Sequence, residues 1–205
     1  MNTTFRSLVP AALAWSIVTA TPADGQATVP LAPFSSIDLP EGGHVTFRRG
    51  SEQRVTLVRG SLDHSRFTVS QGGRLIVEKC VARKCPTGYR LEIEVVAPSL
   101  SGVSLANGGS IQSVGSFPRQ SELTVAVAHG GTIDVRSMPV DRVTASVNQG
   151  GRILTVAEAA LSATVNQGGV ILYWGSPRVR SSVEHGGVVQ RGDSRDVERT
   201  RTELR

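Results

Sequence analysis

The sequence predicts an all-β chain built as a β-solenoid. Three observations carry that prediction. The string TASVNQGGRIL at residues 144–154 returns almost unchanged as SATVNQGGVIL at residues 162–172, a shift of 18. Glycine pairs recur at Gly108–Gly109, Gly130–Gly131, Gly150–Gly151, Gly168–Gly169 and Gly186–Gly187, with spacings of 22, 20, 18 and 18 residues. Between the pairs, apolar and polar side chains alternate with period two, the signature of a half-buried strand. One coil of about 20 residues cannot bury its own apolar face, but stacked coils share a core. Matching strings are then matching rungs, because rungs must be alike to stack.

Taken in chain order, residues 1–27 read as a signal peptide. Arg6 supplies a short positive segment, and Leu8 to Ala20 is mostly apolar but too short to span a bilayer. Small residues in GQA, Gly25 to Ala27, place cleavage after Ala27, with VTA at Ala20 as the second choice. An uncleaved N-terminal anchor is the alternative. No Cys follows the apolar segment, so a lipoprotein anchor is not expected. No later stretch is long and apolar enough for a membrane helix, so no span is expected in the mature chain.

Cleavage after Ala27 leaves 178 residues, enough for one sizeable core or two small ones. The formal charge of +5 is unchanged, since the leader removes one Arg and one Asp. Arginine supplies nearly all the positive charge, with Lys79 and Lys84 the only lysines. Acidic residues are mixed among them and aromatics are scarce, which argues against a nucleic-acid partner. An exported basic protein meets anionic envelope or extracellular polymers more readily. Four residues lie between Cys80 and Cys85, which suits a disulfide clip in an oxidising compartment. Zinc is not expected there, because no His lies nearby.

The folded domain is expected over residues 34–190. Its first part, 34–98, alternates through Val45 and Phe47, Val55 and Leu57, Phe67 and Val69, Leu75 and Val77, and Leu91, Ile93 and Val95. With Gly, Pro and Ser punctuation this reads as half-buried antiparallel strands. Its second part, 99–190, holds the glycine-pair coils. The inward positions there are small, as in Val125 and Val127, Ala145 and Val147, Ala163 and Val165. A helix is possible only at VAEAAL, Val156 to Leu161, and in the tail. The tail, 191–205, is highly charged without an apolar stripe and is expected to be disordered or a frayed helix.

The leader, FSSIDLPEGGHVTFRRG, LEIEVVAPSLSGVSLANGGSI and the glycine-paired coils together resemble the putative auto-transporter adhesin head GIN domain family. The resemblance covers most of the chain from Phe34 to about Gly187. It implies an exported bacterial β-solenoid with an adhesin-like role. The corner residues depart from the pattern: Asn, Gln or His precedes Gly-Gly, where Ser-Gly-Ser-Gly is more usual. That departure leaves the fold reading intact and carries over no ligand.

No catalytic signature is present: no nucleophile elbow, P-loop, paired-His metalloprotease motif or zinc quartet. No catalytic residue, metal site or cofactor is therefore expected. His129 and His185 occupy equivalent corners three rungs apart, about 14 Å, too far to share a metal. The corner column Asn107, His129, Gln149, Gln167, His185 reads as a structural ladder of the kind that stacked amides form. Outward columns offer a flat polar face: Ser104, Ala126, Ser146, Thr164, Ser182; Ala106, Ala128, Asn148, Asn166, Glu184; and Thr124, Thr144, Ser162, Arg180. Asn148, Asn166 and Trp174 are the candidate binding residues, for a polysaccharide or other envelope polymer. Asp134 and Asp141 are the acidic residues nearest to a glycan-cleaving pair, but neighbouring rungs do not match them.

The functional expectation is thus an exported, non-enzymatic β-solenoid, periplasmic or extracellular, acting in surface adhesion or envelope interaction. The alternatives are a carbohydrate-active enzyme on a β-helix scaffold and a purely structural envelope protein. The oligomeric state is open.

Overall fold

The computed structural model describes residues 26–81 and 85–193. Among these residues the chain is all strand, turn and bend. Fifteen strands follow in order: β1 (Ala27–Val29), β2 (Ser36–Leu39), β3 (His44–Arg49), β4 (Arg54–Arg59), β5 (Ser65–Val69), β6 (Arg74–Lys79), β7 (Glu92–Ala97), β8 (Gly102–Leu105), β9 (Ser110–Val114), β10 (Gln120–His129), β11 (Thr132–Gln149), β12 (Arg152–Gln167), β13 (Val170–Trp174), β14 (Arg178–Val183) and β15 (Val188–Arg191).

They stack into two ladders around one core. The first runs β5, β6, β2, β8, β10, the C-terminal half of β11, the C-terminal half of β12, and β14. The second runs β1, β4, β7, β3, β9, the N-terminal halves of β11 and β12, β13 and β15. Each coil contributes one strand to each ladder, joined by a glycine-pair corner except in the β6–β7 coil, where the loop bearing Cys80 and Cys85 makes the connection. The predicted β-solenoid is the fold observed.

The N-terminal strands differ from the antiparallel arrangement expected for residues 34–98. β2 and β3 pair in parallel with β8 and β9, and β6 and β7 pair in parallel with β2 and β3. Only β1, β4 and β5 are antiparallel, and they form the outer end of the stack. Coil order and chain order also part company: the β2–β3 coil sits between β6–β7 and β8–β9. Period-two alternation reports which face of a strand is buried, and it is the same for either strand direction. Direction and spatial order were not in that signal.

The core is a set of columns that run through the stack. Leu123, Val143 and Leu161 form one, and Val127, Val147 and Val165 another, each buried and each in register with its neighbour. The second ladder supplies Ile111, Ile133, Ile153 and Ile171. Phe47 and Phe117 stack with ring centroids 4.9 Å apart, an offset geometry that aromatic pairs favour.

Val156 to Leu161 is not a helix. It lies within β12, where Ala157 and Leu161 are buried against the stack. Good helix formers lose here to the requirement that each rung pair with the rung below, since most local stability comes from tertiary packing. β11 and β12 shift register between Asp134 and Pro139 and again between Val140 and Arg142, where the two rungs differ in length.

The corners explain the glycine pairs. Gly151 has φ +99 and Gly150 φ +71, and the pairs at Gly108, Gly130 and Gly168 behave alike, whereas in the last pair only Gly186 is left-handed. Gly42–Gly43 belongs to the same column, for Ser110 N–H donates to the Gly43 carbonyl at 2.8 Å, as Thr132 N–H does to that of Gly109 at 3.0 Å.

Cys80 and Cys85 are disulfide-bonded, as their spacing suggests. Closing so short a loop removes unfolded-state entropy worth about 2 kcal/mol. We expect Cys80→Ser/Cys85→Ser to lower stability by about that amount. Intact mass after alkylation, with and without reductant, checks the bond; two free thiols in protein from an oxidising compartment would refute it.

The predicted leader, residues 1–27, lies outside the described residues except for its last two. Ala27, the first choice for cleavage, opens β1 and pairs with Leu57. In the charged tail, Arg191 ends β15, and residues 194–205 lie outside the described residues.

Candidate functional site

The outward face of the first ladder is built from side chains that strand alternation turns away from the core. Its register is regular. Ser104, Ala126, Ser146, Thr164 and Ser182 align in one column, and Thr124, Thr144, Ser162 and Arg180 in another. Both columns are exposed through β11, β12 and β14. Rungs repeat at about 4.8 Å, so the face presents hydroxyl groups on a regular spacing.

Asn148 and Asn166 lie beside these columns, next to the glycine corner. The Asn166 amide Nδ2 donates to Asn148 Oδ1 at 3.1 Å. One residue on, Gln149 Nε2 donates to Gln167 Oε1, also at 3.1 Å. The expected corner ladder therefore has one amide rung. It does not extend through the whole column. Asn107 turns away with φ +58 and donates from Nδ2 to the Pro40 carbonyl at 2.7 Å. His129 and His185 occupy the remaining positions and cannot continue an amide chain.

Trp174 is not part of this face. It ends β13 in the second ladder, where Ile171 points into the core and Tyr173 packs against it. The expected grouping of Trp174 with Asn148 and Asn166 is corrected accordingly: the structure joins the two asparagines and places the tryptophan on the outward side of the other ladder. Alternation along β13 could have assigned the side of its strand, but not which ladder that strand joined.

Trp174 has a different partner. The Arg136 guanidinium lies 5.0 Å from its ring centroid, a cation–π arrangement. The same guanidinium grips Asp134 with both arms of its fork, Nε to Oδ1 at 2.9 Å and Nη2 to Oδ2 at 2.5 Å. The Arg136 backbone N–H donates to Oδ1 as well, at 3.2 Å. Ile133 and Val135 flank Asp134 and enter the core, so its carboxylate faces outward, yet the residue is only 5% exposed. Leu154 and Leu172 follow it in the same column and are buried too.

The two aspartates considered for glycan cleavage are thus occupied. Asp134 is held by Arg136, and Asp141 pairs with Arg119. Among the described residues no group of three His, Cys, Asp or Glu side chains converges, and no helix is long and apolar enough to cross a membrane.

A concave site missed in the sequence lies at the N-terminal end of the stack. A cavity of about 540 Å³ opens between the β4–β5 turn and the β6–β7 loop, lined by Arg59, Ser61, His64, Tyr89 and Arg90 among others. Tyr89 frames it, its hydroxyl accepting from Ser61 N–H at 2.8 Å and bonding Ser65 Oγ at 2.8 Å. The disulfide clip sits in the loop that carries Tyr89.

A stack of in-register rungs with repeated polar columns and glycine corners defines a β-solenoid. The chain belongs to the family described as putative auto-transporter adhesin, head GIN domain, whose model matches residues 33–153. Among solved structures it is similar to a putative adhesin from Bacteroides fragilis at 16% identity, over 82% of this chain and 97% of that one, with a TM-score of 0.50. A putative adhesin from Parabacteroides distasonis matches at 10% identity over 80% and 95% of the two chains, TM-score 0.49. A putative lipid binding protein from the same species matches at 12% identity over 83% and 98%, TM-score 0.42. At these identities the likeness is one of fold. No curated protein matches the chain.

Proposed function

We propose that the protein is exported and acts without catalysis in adhesion at the cell surface, by laying an extended envelope or extracellular polysaccharide along the outward face of the first ladder. The observation that carries the proposal is the register of that face, in which Thr144, Ser162 and Arg180, and Ser146, Thr164 and Ser182, repeat rung by rung beside the Asn148–Asn166 pair. A periodic array suits a periodic ligand. Hydroxyls and amides both donate and accept, which is what sugar hydroxyls require. The family and the adhesin descriptions of similar structures support the same reading.

The test is a binding screen of the purified chain against neutral and acidic polysaccharides. Asn148→Ala/Asn166→Ala is expected to weaken polymer binding by about tenfold, the loss of one or two hydrogen bonds, and to leave the melting curve nearly unchanged. Trp174→Ala is expected to leave binding alone, because Trp174 is on the other face. Binding untouched by the asparagine pair but lost in Arg59→Ala/Arg90→Ala would move the site to the cavity beside Tyr89.

A further inference from the structure

The two ends of the stack are unlike. At the N-terminal end the added strands β1, β4 and β5 run antiparallel, β1 pairing only with β4 and β5 only with β6. At the other end, β14 pairs only with β12, and β15 only with β13. Their far edges carry backbone N–H and C=O groups with no strand partner among the described residues. A free edge of this kind is a template for strand addition.

The open end also exposes core. Leu161 is aligned with Val179, and Val165 with Val183. Leu161 and Val165 are 1% and 0% exposed, whereas Val179 and Val183 are 38% and 43% exposed. The same two columns that form the interior therefore end in half-open valines. Single exposed valines are ordinary on a protein surface, but two that terminate core columns beside an unpaired edge mark an interrupted stack.

We propose that this end docks a second copy of the chain, by antiparallel pairing of β14 with its own counterpart about a two-fold axis through Ser181. The sequence RVRSSVE, Arg178 to Glu184, is self-complementary in that register. Val179 lies opposite the partner's Val183, so each exposed core column meets an apolar neighbour. Ser181 lies opposite its own copy. On the outward side Arg178 faces Glu184, and Arg180 faces Ser182. Opposite charges across an antiparallel pair stabilise it, and like charges do the reverse. Two-fold pairing closes on itself, giving a dimer and not a fibre.

The rival occupant is the chain's own tail, residues 194–205. Its sequence, SRDVERTRTELR, offers only Val197 and Leu204 as apolar side chains among seven charges. That composition is poor material for covering two open core columns. Docking of two copies would also join their outward faces into one longer array for a polymer.

The experiment is sedimentation of the purified chain over a concentration series, with variants. The unaltered chain is expected to dimerise. Glu184→Arg should weaken the dimer by roughly tenfold by setting arginine against arginine, and Arg178→Glu/Glu184→Arg should restore it. The charge reversals sit on an exposed strand, so circular dichroism should be unchanged. Ser181→Cys should form a disulfide-linked dimer under mild oxidation, because the two Ser181 positions face each other, and Ser182→Cys should not. A monomer at all concentrations would overturn the proposal. So would a dimer indifferent to Glu184→Arg. A monomer that dimerises only when residues 194–205 are removed would assign the edge to the tail and overturn it as well.

Discussion

Arg136→Ala is expected to lower stability by about 3–5 kcal/mol, the cost of leaving a buried carboxylate without its partner. The side chains of Arg136 and Asp134 are 19% and 7% exposed, so water does little to screen or replace the pair. Two guanidinium bonds and one backbone N–H hold the carboxylate. Removing the guanidinium leaves only the backbone donor. A chain of this size loses about 2–4 °C of melting temperature per kcal/mol, so a fall of about 6–20 °C is the expected readout. Asp134→Leu/Arg136→Leu should lie much nearer the unaltered protein, because apolar replacement of both partners removes the stranded charge. A single variant as stable as the double would show that the pair carries no such charge penalty. The indole reports the same event independently. Only Trp15 and Trp174 are present, and Trp15 lies in the predicted leader. Tryptophan emission of a chain that begins at Thr28 therefore comes from Trp174 alone. Arg136→Ala should shift its emission, since the guanidinium 5.0 Å from the ring is gone.

That site was partly hidden in the sequence, and the reason is physical. Alternation told that Ile133 and Val135 point inward and Asp134 outward. Burial of an outward residue, however, depends on neighbours from other rungs, and rung order was not legible where loops are long. The coils from Gly108 onward were legible because each repeats its neighbour at nearly fixed spacing, so register followed from the strings themselves. Val147 with Val165 and Ser146 with Thr164 could be aligned on paper and stand so in the structure. Gly42–Gly43 was visible as a pair but lay 66 residues before Gly108–Gly109, and the excursion through β4 to β7 broke the period. The swap of the first two coils follows from that excursion and has no local signature. The same limit separated Trp174 from Asn148 and Asn166. Their faces depend on which ladder each strand enters, and the turn at the non-glycine corner decides that.

Within a corner, the two glycines are expected to differ sharply in what they tolerate. Gly150→Ala should cost about 1–2 kcal/mol, the price of a side chain at a left-handed backbone angle. Its φ is +71, and an added Cβ would meet nothing within 4 Å. Gly151→Ala should cost about 3–5 kcal/mol, because strain and collision act together. Its φ is +99, farther from any angle that L residues favour, and the added Cβ would lie 2.6 Å from Val127 Cγ1 and 3.0 Å from the Gly131 carbonyl oxygen. Neither neighbour can yield cheaply. Val127 is a core residue at 2% exposure, and the Gly131 carbonyl accepts the Arg152 N–H at 2.9 Å. The same contacts recur one rung on, where a Cβ at Gly169 would lie 2.5 Å from Val147 Cγ1 and 3.1 Å from the Gly151 oxygen. Gly169→Ala should therefore match Gly151→Ala. Gly150→Asn should be milder than Gly150→Ala, since Asn accepts left-handed angles and Asn107 already holds φ +58 at the position before a glycine pair. Urea unfolding decides the matter: the midpoint should fall in that order with an unchanged slope. Equal losses at Gly150 and Gly151 would mean that backbone angle alone sets the corner, and that the rungs stack loosely enough to admit a methyl group between them.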